Sequence, residues 1–132
     1  MKRSARGIVF TLLFGAVLAS GCASAPTRPP GTGVLFARPP DAVYRAAIDA
    51  LTVHGFDVTK SDPLHVEGFR PRKVGMFVGS GGETVGVWLE PAGAAQTRVH
   101  VRTAKSSFGI AGQKGWDADI LSEMEKALGT SR

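Results

Sequence analysis

Cysteine is nearly absent from this chain: Cys22 is the only one in 132 residues. A single cysteine excludes a disulfide within the chain and a zinc site built from several thiolates. Long apolar runs are missing too. A helix that crosses a bilayer needs roughly 20 apolar residues, and the apolar run at residues 7–17 has only about half that length. The folded part of the chain must therefore depend on its hydrophobic core.

Acidic residues are absent from the first 21 positions, which hold three of the 16 basic residues and none of the 11 acidic ones. The remaining 111 residues therefore carry a net charge of only +2, against +5 for the whole chain. A balance this small does not indicate binding to nucleic acid. We expect no nucleic-acid partner.

The N-terminus combines a basic stretch, residues 1–6, with the apolar run at residues 7–17. This layout is typical of a secretory signal peptide. A short membrane anchor that is never cleaved is the alternative, and the cysteine that follows argues against it.

Residues 18–22, Leu-Ala-Ser-Gly-Cys, resemble the lipobox of bacterial lipoproteins, in which a leucine and small residues precede a cysteine. The resemblance implies that the Cys22 sulfur receives a diacylglyceryl group and that residues 1–21 are removed as the signal peptide. A thiol is the strong nucleophile that thioether formation needs, and two or three acyl chains hold a protein durably on a membrane. The first predicted partner is therefore a membrane, reached through the lipid on Cys22.

The residue after Cys22 is Ala23 rather than an aspartate. In enterobacterial lipoproteins an aspartate at this place favours retention in the inner membrane. The resemblance therefore implies a lipid-anchored protein of the bacterial cell envelope, on the outer membrane and facing the periplasm.

Residues 22–33 join the predicted lipid to the rest of the chain. After Cys22 they are rich in proline, glycine and threonine and show no apolar period. Such a composition is typical of a linker. We predict a flexible tether here and one folded domain over residues 34–129.

Two helices are predicted in the domain. The first begins at residues 39–41, Pro-Pro-Asp, because proline is tolerated in the first turn and an acid there suits the helix dipole. Gly55 supplies its C-terminal stop. The second helix covers residues 117–128 and ends at Gly129. Both have apolar residues at a spacing of three and four, as a helix with one buried face requires.

Alternating apolar residues predict strands before and between these helices, most clearly at residues 84–90 and 97–103. The prediction is an α+β fold: a two-layer sandwich with an antiparallel sheet of about four to five strands and two helices on one face, in the order β-α-β-β-β-α. This order resembles the small helix-grip-like domains of bacterial lipoproteins and, more distantly, the repeat domains of BamC. The resemblance brings no catalytic motif.

The predicted core draws on both layers of this sandwich. Its members are Ile48, Leu51, Val87, Val99, Ile120 and Met124. Two stretches lie outside the scheme. The glycines and serine of residues 79–82 predict a flexible loop that interrupts residues 70–82, and the glycine- and serine-rich residues 104–115 predict a mobile connector.

The sequence contains no recognisable catalytic or metal-binding motif. Its histidines, His54, His65 and His100, lie in different predicted elements without another ligand at helical spacing, so we expect no metal site. Residues 79–82 lack the Gly-x-Ser-x-Gly frame of a nucleophile, and residues 109–115 lack the ending of a phosphate-binding loop. No cofactor and no enzymatic activity are predicted.

One strand face combines an aromatic ring with cations. Because side chains alternate along a strand, Trp88 is predicted on the face opposite the valines, together with Arg98, His100 and Arg102. Keeping the valines in the core places Trp88 beside Arg98 or His100. The four residues are our candidate binding surface, able to hold an anionic or aromatic partner by stacking and cation–π contact. The alternative is an ordinary sheet face whose tryptophan is covered by a neighbouring segment, such as residues 70–78.

Two functions are compatible with these features. One is a non-enzymatic lipoprotein that binds an envelope protein, glycan or lipid, or assists the envelope in another way. The other is a small periplasmic enzyme, similar to a hydrolase, whose site the sequence does not reveal. A pocket with converging ionisable groups would favour the enzyme, and a flat patch with a polar rim would favour the binding module.

Overall fold

The fold comes from a computed structural model, which describes residues 25–74, 77–105 and 114–129, with side chains except those of residues 72–81. The predicted signal peptide, Cys22 and most of the predicted connector at 104–115 lie outside the described residues. Along the described chain the elements are β1 (Val34–Phe36), α1 (Pro40–Val53), β2 (Asp57–Asp62), β3 (His65–Val74), β4 (Phe77–Gly93), β5 (Gln96–Lys105) and α2 (Asp117–Leu128).

The strands form one antiparallel sheet in the order β1-β5-β4-β3-β2. The three long hairpins bring consecutive strands together, and the short β1 pairs with β5 at the edge. The predicted α+β fold is confirmed. The predicted order is wrong in one detail, since four strands rather than three separate the helices.

The predicted loop at residues 79–82 is a second error, because β4 continues through these residues, although its register with β3 shifts between Val78 and Gly82. Gly82 pairs with Pro71 of β3. A Cβ atom at Gly82 would lie 2.4 Å from the backbone oxygen of Arg70. Glycine here lets two strands approach closely, a use of glycine that the sequence pattern alone does not separate from a turn.

Both helices have the predicted ends. α1 begins after Pro39 and is followed by Gly55 at a φ of +78°, and α2 ends at Gly129, which adopts the left-handed conformation. Asp117 ties the start of α2 to β5, because its Oδ1 accepts hydrogen bonds from the backbone N–H of Thr103 at 2.7 Å and from its hydroxyl at 2.5 Å. Within the described ranges, neither helix is long and apolar enough to cross a membrane.

One core lies between the helices and the inner face of the sheet. Five of the six predicted core residues are fully buried there: Leu51, Val87, Val99, Ile120 and Met124. Ile48 is only partly buried and packs against this core from its edge, so the prediction that it is a fully buried core residue is wrong. The buried stripe of α1 runs along Val43, Ala47, Ala50 and Leu51. Since successive helix residues are 100° apart, Ile48 lies at the rim of that stripe.

Candidate functional site

The face of the sheet that points away from the helices carries the four predicted surface residues. In the pairing of β4 with β5, Trp88 lies opposite His100, Glu90 opposite Arg98, and Gly86 opposite Arg102. Of the two neighbours predicted for Trp88, Arg98 or His100, the pairing places His100 directly opposite. Strand alternation places all these side chains on one side, which we call the outer face.

The four residues differ in how far solvent reaches them. Arg102 is exposed, and Arg98 and Trp88 are half-buried. The Arg98 guanidinium donates to Glu90 Oε1 at 3.4 Å. His100, however, is only 4% exposed. His100 is therefore not part of an open surface, although it lies on the predicted face.

The cover over His100 is the N-terminal stretch, residues 25–33, which we call the strap. Pro26 is buried, and its ring lies against the backbone of Gly86. At the other end, Gly33 leads directly into β1. The strap thus crosses the outer face from β1 to β4. Sequence composition predicted a flexible tether here and named residues 70–78 as one possible cover, whereas the described contacts put Pro26, Arg28 and Gly33 on the sheet.

Gly33 fixes where the strap leaves the sheet edge. Its φ is +63°, a conformation that side chains disfavour. A Cβ atom at Gly33 would lie 2.7 Å from the backbone oxygen of Val99 and 2.9 Å from the His100 ring. Only glycine allows the chain to pass this close to β5.

Arg28 makes the polar contacts of the strap. Its Nη2 donates to Glu90 Oε2 at 2.5 Å and to His100 Nε2 at 3.0 Å. The hydrogen bond from Arg28 lowers the pKa of Glu90. Burial lowers the pKa of His100, and the charge of Arg28 acts in the same direction. Arg28 therefore favours the ionised form of the Glu90 carboxylate and the neutral form of the His100 imidazole.

The indole of Trp88 lies flat on the sheet. It stacks on the His65 ring with centroids 4.8 Å apart and planes 12° from parallel. A Cβ atom at Gly86 would lie 2.5 Å from the outer edge of the indole, so the missing side chain makes room for the ring. His65 in turn lies 3.0 Å from Glu67 Oε1, and burial lowers its pKa.

We expect Gly86→Ala to lift the Trp88 indole from its place, because the new methyl group would overlap the ring. Pro26 would also be displaced, since its Cγ lies only 3.0 Å from the added atom. The measurement is tryptophan emission, which should shift to longer wavelength and become more accessible to acrylamide. Gly115→Ala is the matched control, because among the described residues no atom outside its two chain neighbours lies within 4 Å of a Cβ atom there. Equal emission from both variants would contradict the described seat.

The second tryptophan, Trp116, is packed into the core at the start of α2. Trp116 is 9% exposed and packs edge-on against Phe56, with the Arg70 and Lys114 cations 4.7 Å and 4.4 Å from its ring centroid. Its backbone N–H donates to the Thr103 hydroxyl at 2.8 Å. These contacts join the start of α2 to the core rather than form a second open site.

Sequence reasoning found the outer face but missed Arg28 and His65. The parity of β3 would have placed His65 on the same face as Trp88, because the two residues pair across the strands. No comparable signal exists for Arg28 in a linker-like stretch. Among the described residues, no three metal-ligating side chains come together. No protein-family model matches the chain, and a search of curated proteins found no similar sequence.

Proposed function

We propose that this protein is a lipid-anchored, non-enzymatic domain of the bacterial envelope that binds an anionic envelope component at the outer face of its sheet. The proposed location is the outer membrane, facing the periplasm. The component would be a protein, glycan or lipid that carries negative charge. One observation carries the proposal: the strap begins three residues after Cys22 and lies on the outer face, beside Trp88 and Arg102.

Arg102 is the cation best placed to meet such a component. It is exposed on β5, directly opposite Gly86, where Pro26 of the strap rests. Within the described part of the chain it forms no ion pair, whereas Arg98 is already bonded to Glu90. The predicted lipid and the available charge would thus meet the envelope on the same side of the sheet.

We expect Arg102→Glu to abolish binding to the anionic component while leaving the fold intact. An exposed charge contributes little to the free energy of unfolding, about 1 kcal/mol or less. Crosslinking in living cells, followed by identification of the captured proteins, glycans and lipids, measures the binding. Binding should also weaken as salt is added, because exposed charges are screened.

Lys105→Glu is the matched control for this experiment. It makes the same change of charge on the same strand, at an exposed position of the opposite parity. The captured components should persist in Lys105→Glu and disappear in Arg102→Glu, with both variants compared below their melting transitions because position 105 lies opposite the buried Glu83. Loss in both variants would indicate a dependence on net charge alone, and loss in neither would exclude the outer face as the binding surface.

A further inference from the structure

The contacts of Arg28 suggest that the strap can open. We propose that the strap is a pH-dependent clasp: it stays on the outer face while His100 is neutral, and it leaves when His100 takes up a proton, uncovering Trp88 and His100. The clasp needs neither the lipid nor a binding partner. It therefore stands or falls separately from the proposed function.

The geometry of one hydrogen bond defines the closed state. Arg28 Nη2 lies 3.0 Å from His100 Nε2. A guanidinium only donates hydrogen bonds, so His100 Nε2 must accept, and an accepting Nε2 carries no proton. The closed strap thus selects the neutral ring with its hydrogen on Nδ1. Protonation of Nε2 would replace an attraction by a contact between two donors.

Burial and the two arginines around His100 oppose its protonation, while Glu90 favours it. Arg28 faces it from the strap, Arg98 lies on its own strand, and Glu90 approaches from β4 with Oε2 3.7 Å from Nε2. A protonated His100 would be the third cation beside a single carboxylate, at a position that is 4% exposed. Water cannot reach the ring to reduce this repulsion while the strap is closed. When Arg28 leaves, His100 loses its nearest cation and its ring becomes exposed to solvent at the same time.

The strap is held weakly enough for one proton to matter. Its ion pair, Arg28 with Glu90, has both side chains more than 40% exposed, and solvent-exposed ion pairs hold their partners only weakly. The packing of Pro26 and the passage of Gly33 along β5 add to this ion pair. A positive charge on His100 would repel Arg28 directly, and Arg28 makes the polar contacts described for the strap.

The direction of the pH effect follows from the two titrating groups. The pKa of His100 is lowered in the closed state from its ordinary value of 6.5, so closure is fully favoured above about 6.5 and weakens as the pH falls below it. The pKa of Glu90 is lowered from 4.5, so its contribution is lost only below about 4.5. Opening between these values therefore reports on His100.

Cys22 provides a label for the test, because it is the only thiol in the chain. The full chain, made by cell-free synthesis and kept in detergent micelles, is coupled to a nitroxide at Cys22. Four residue steps join Cys22 to Pro26, a reach of at most about 14 Å, so a closed strap holds the nitroxide near Trp88. The NMR signal of the Trp88 indole N–H is then broadened, and that of Trp116 on the helix side is the internal reference.

At about pH 8 we expect the Trp88 signal to be strongly broadened relative to Trp116. As the pH falls to about 5, the Trp88 signal should regain most of its intensity while the Trp116 signal stays constant. His100→Gln keeps an acceptor for Arg28 but cannot take up a proton, so its Trp88 signal should stay broadened throughout. His65→Gln separates the two histidines of the outer face: it removes the ring stacked on Trp88 and so moves the position of the Trp88 signal, but the change in broadening with pH should persist.

Three results would overturn the clasp. The first is equal broadening of Trp88 at both ends of the pH range, since the strap would then be fixed. The second is an unbroadened Trp88 signal at high pH, since the strap would then be absent from the face. The third is a pH response that disappears in His65→Gln and persists in His100→Gln, which would assign the titration to the wrong ring. A loss of the Trp116 signal at low pH would mark unfolding, and the test then rests on the comparison of His100→Gln with the natural chain above that pH.

Discussion

In the Cys22→Ser variant, labelled palmitate should no longer enter the protein, and the precursor should keep its first 21 residues. A serine hydroxyl has a pKa far above that of a thiol and is a poor substitute in thioether formation. The proposed processing also requires the lipid before the peptidase cuts, so both steps should fail together. The measurement is metabolic labelling of cells that make the protein, with gel mobility to separate precursor from mature chain.

Two control variants make this result specific. Ser20→Ala keeps a small residue inside the lipobox-like stretch, so label should enter as before. Cys22→Ser combined with Ser24→Cys restores a thiol two residues away, and label should still be absent because the frame is lost. Palmitate in the Cys22→Ser variant would show that the attachment lies elsewhere and that the lipobox resemblance misleads.

The length of free chain between the proposed lipid anchor at Cys22 and the sheet depends on whether the strap is closed or open. While it is closed, at most about 14 Å of chain separates Cys22 from the sheet at Pro26. Once it opens, the twelve residue steps from Cys22 to Val34 extend to about 40 Å. If both proposals hold, a proton on His100 would lengthen the tether, which allows the domain to lie farther from the membrane, and would uncover its outer face in the same event.

The parts of the fold that local sequence determines were predictable. The bounds of α2 agree with the prediction because both signals are local: the apolar period marks the helix itself, and Gly129 directly after it marks its end. The shared face of Trp88 and His100 follows from the period of two along each strand, which does not depend on any distant contact.

The strap was not predictable, because its seat depends on contacts between distant parts of the chain. Arg28 meets Glu90 and His100 at separations of 62 and 72 residues. Its neighbours in sequence are prolines, glycines and threonines, which have the composition of a linker whether or not a surface is available to them. The glycines at residues 79–82 misled for the related reason that a glycine serves a turn and a close strand contact equally well.

We expect Leu51→Ala to lower the free energy of unfolding by about 2–5 kcal/mol. Leu51 is fully buried on α1. Its Cδ2 lies 3.3 Å from where a Cβ atom at Gly68 would be, so the side chain packs directly on the backbone of β3. A truncated side chain would leave a cavity that the sheet cannot fill, because Gly68 has no side chain to move into it. The expected loss therefore lies toward the upper part of the range, and urea unfolding followed by tryptophan fluorescence measures it.

Val53→Ala is the matched control, since it removes methyl groups from the same helix at a position that is 66% exposed. Shortening an exposed side chain removes little buried apolar surface, and alanine has a better helix propensity than valine. The free energy of unfolding of Val53→Ala should therefore stay within about 0.5 kcal/mol of that of the natural chain. For a domain of this size, each kcal/mol lost lowers the melting temperature by about 4–8 °C. Leu51→Ala should therefore melt well below Val53→Ala. Similar melting temperatures would mean that α1 does not rest on β3 through Leu51, which would contradict the packing of the two layers.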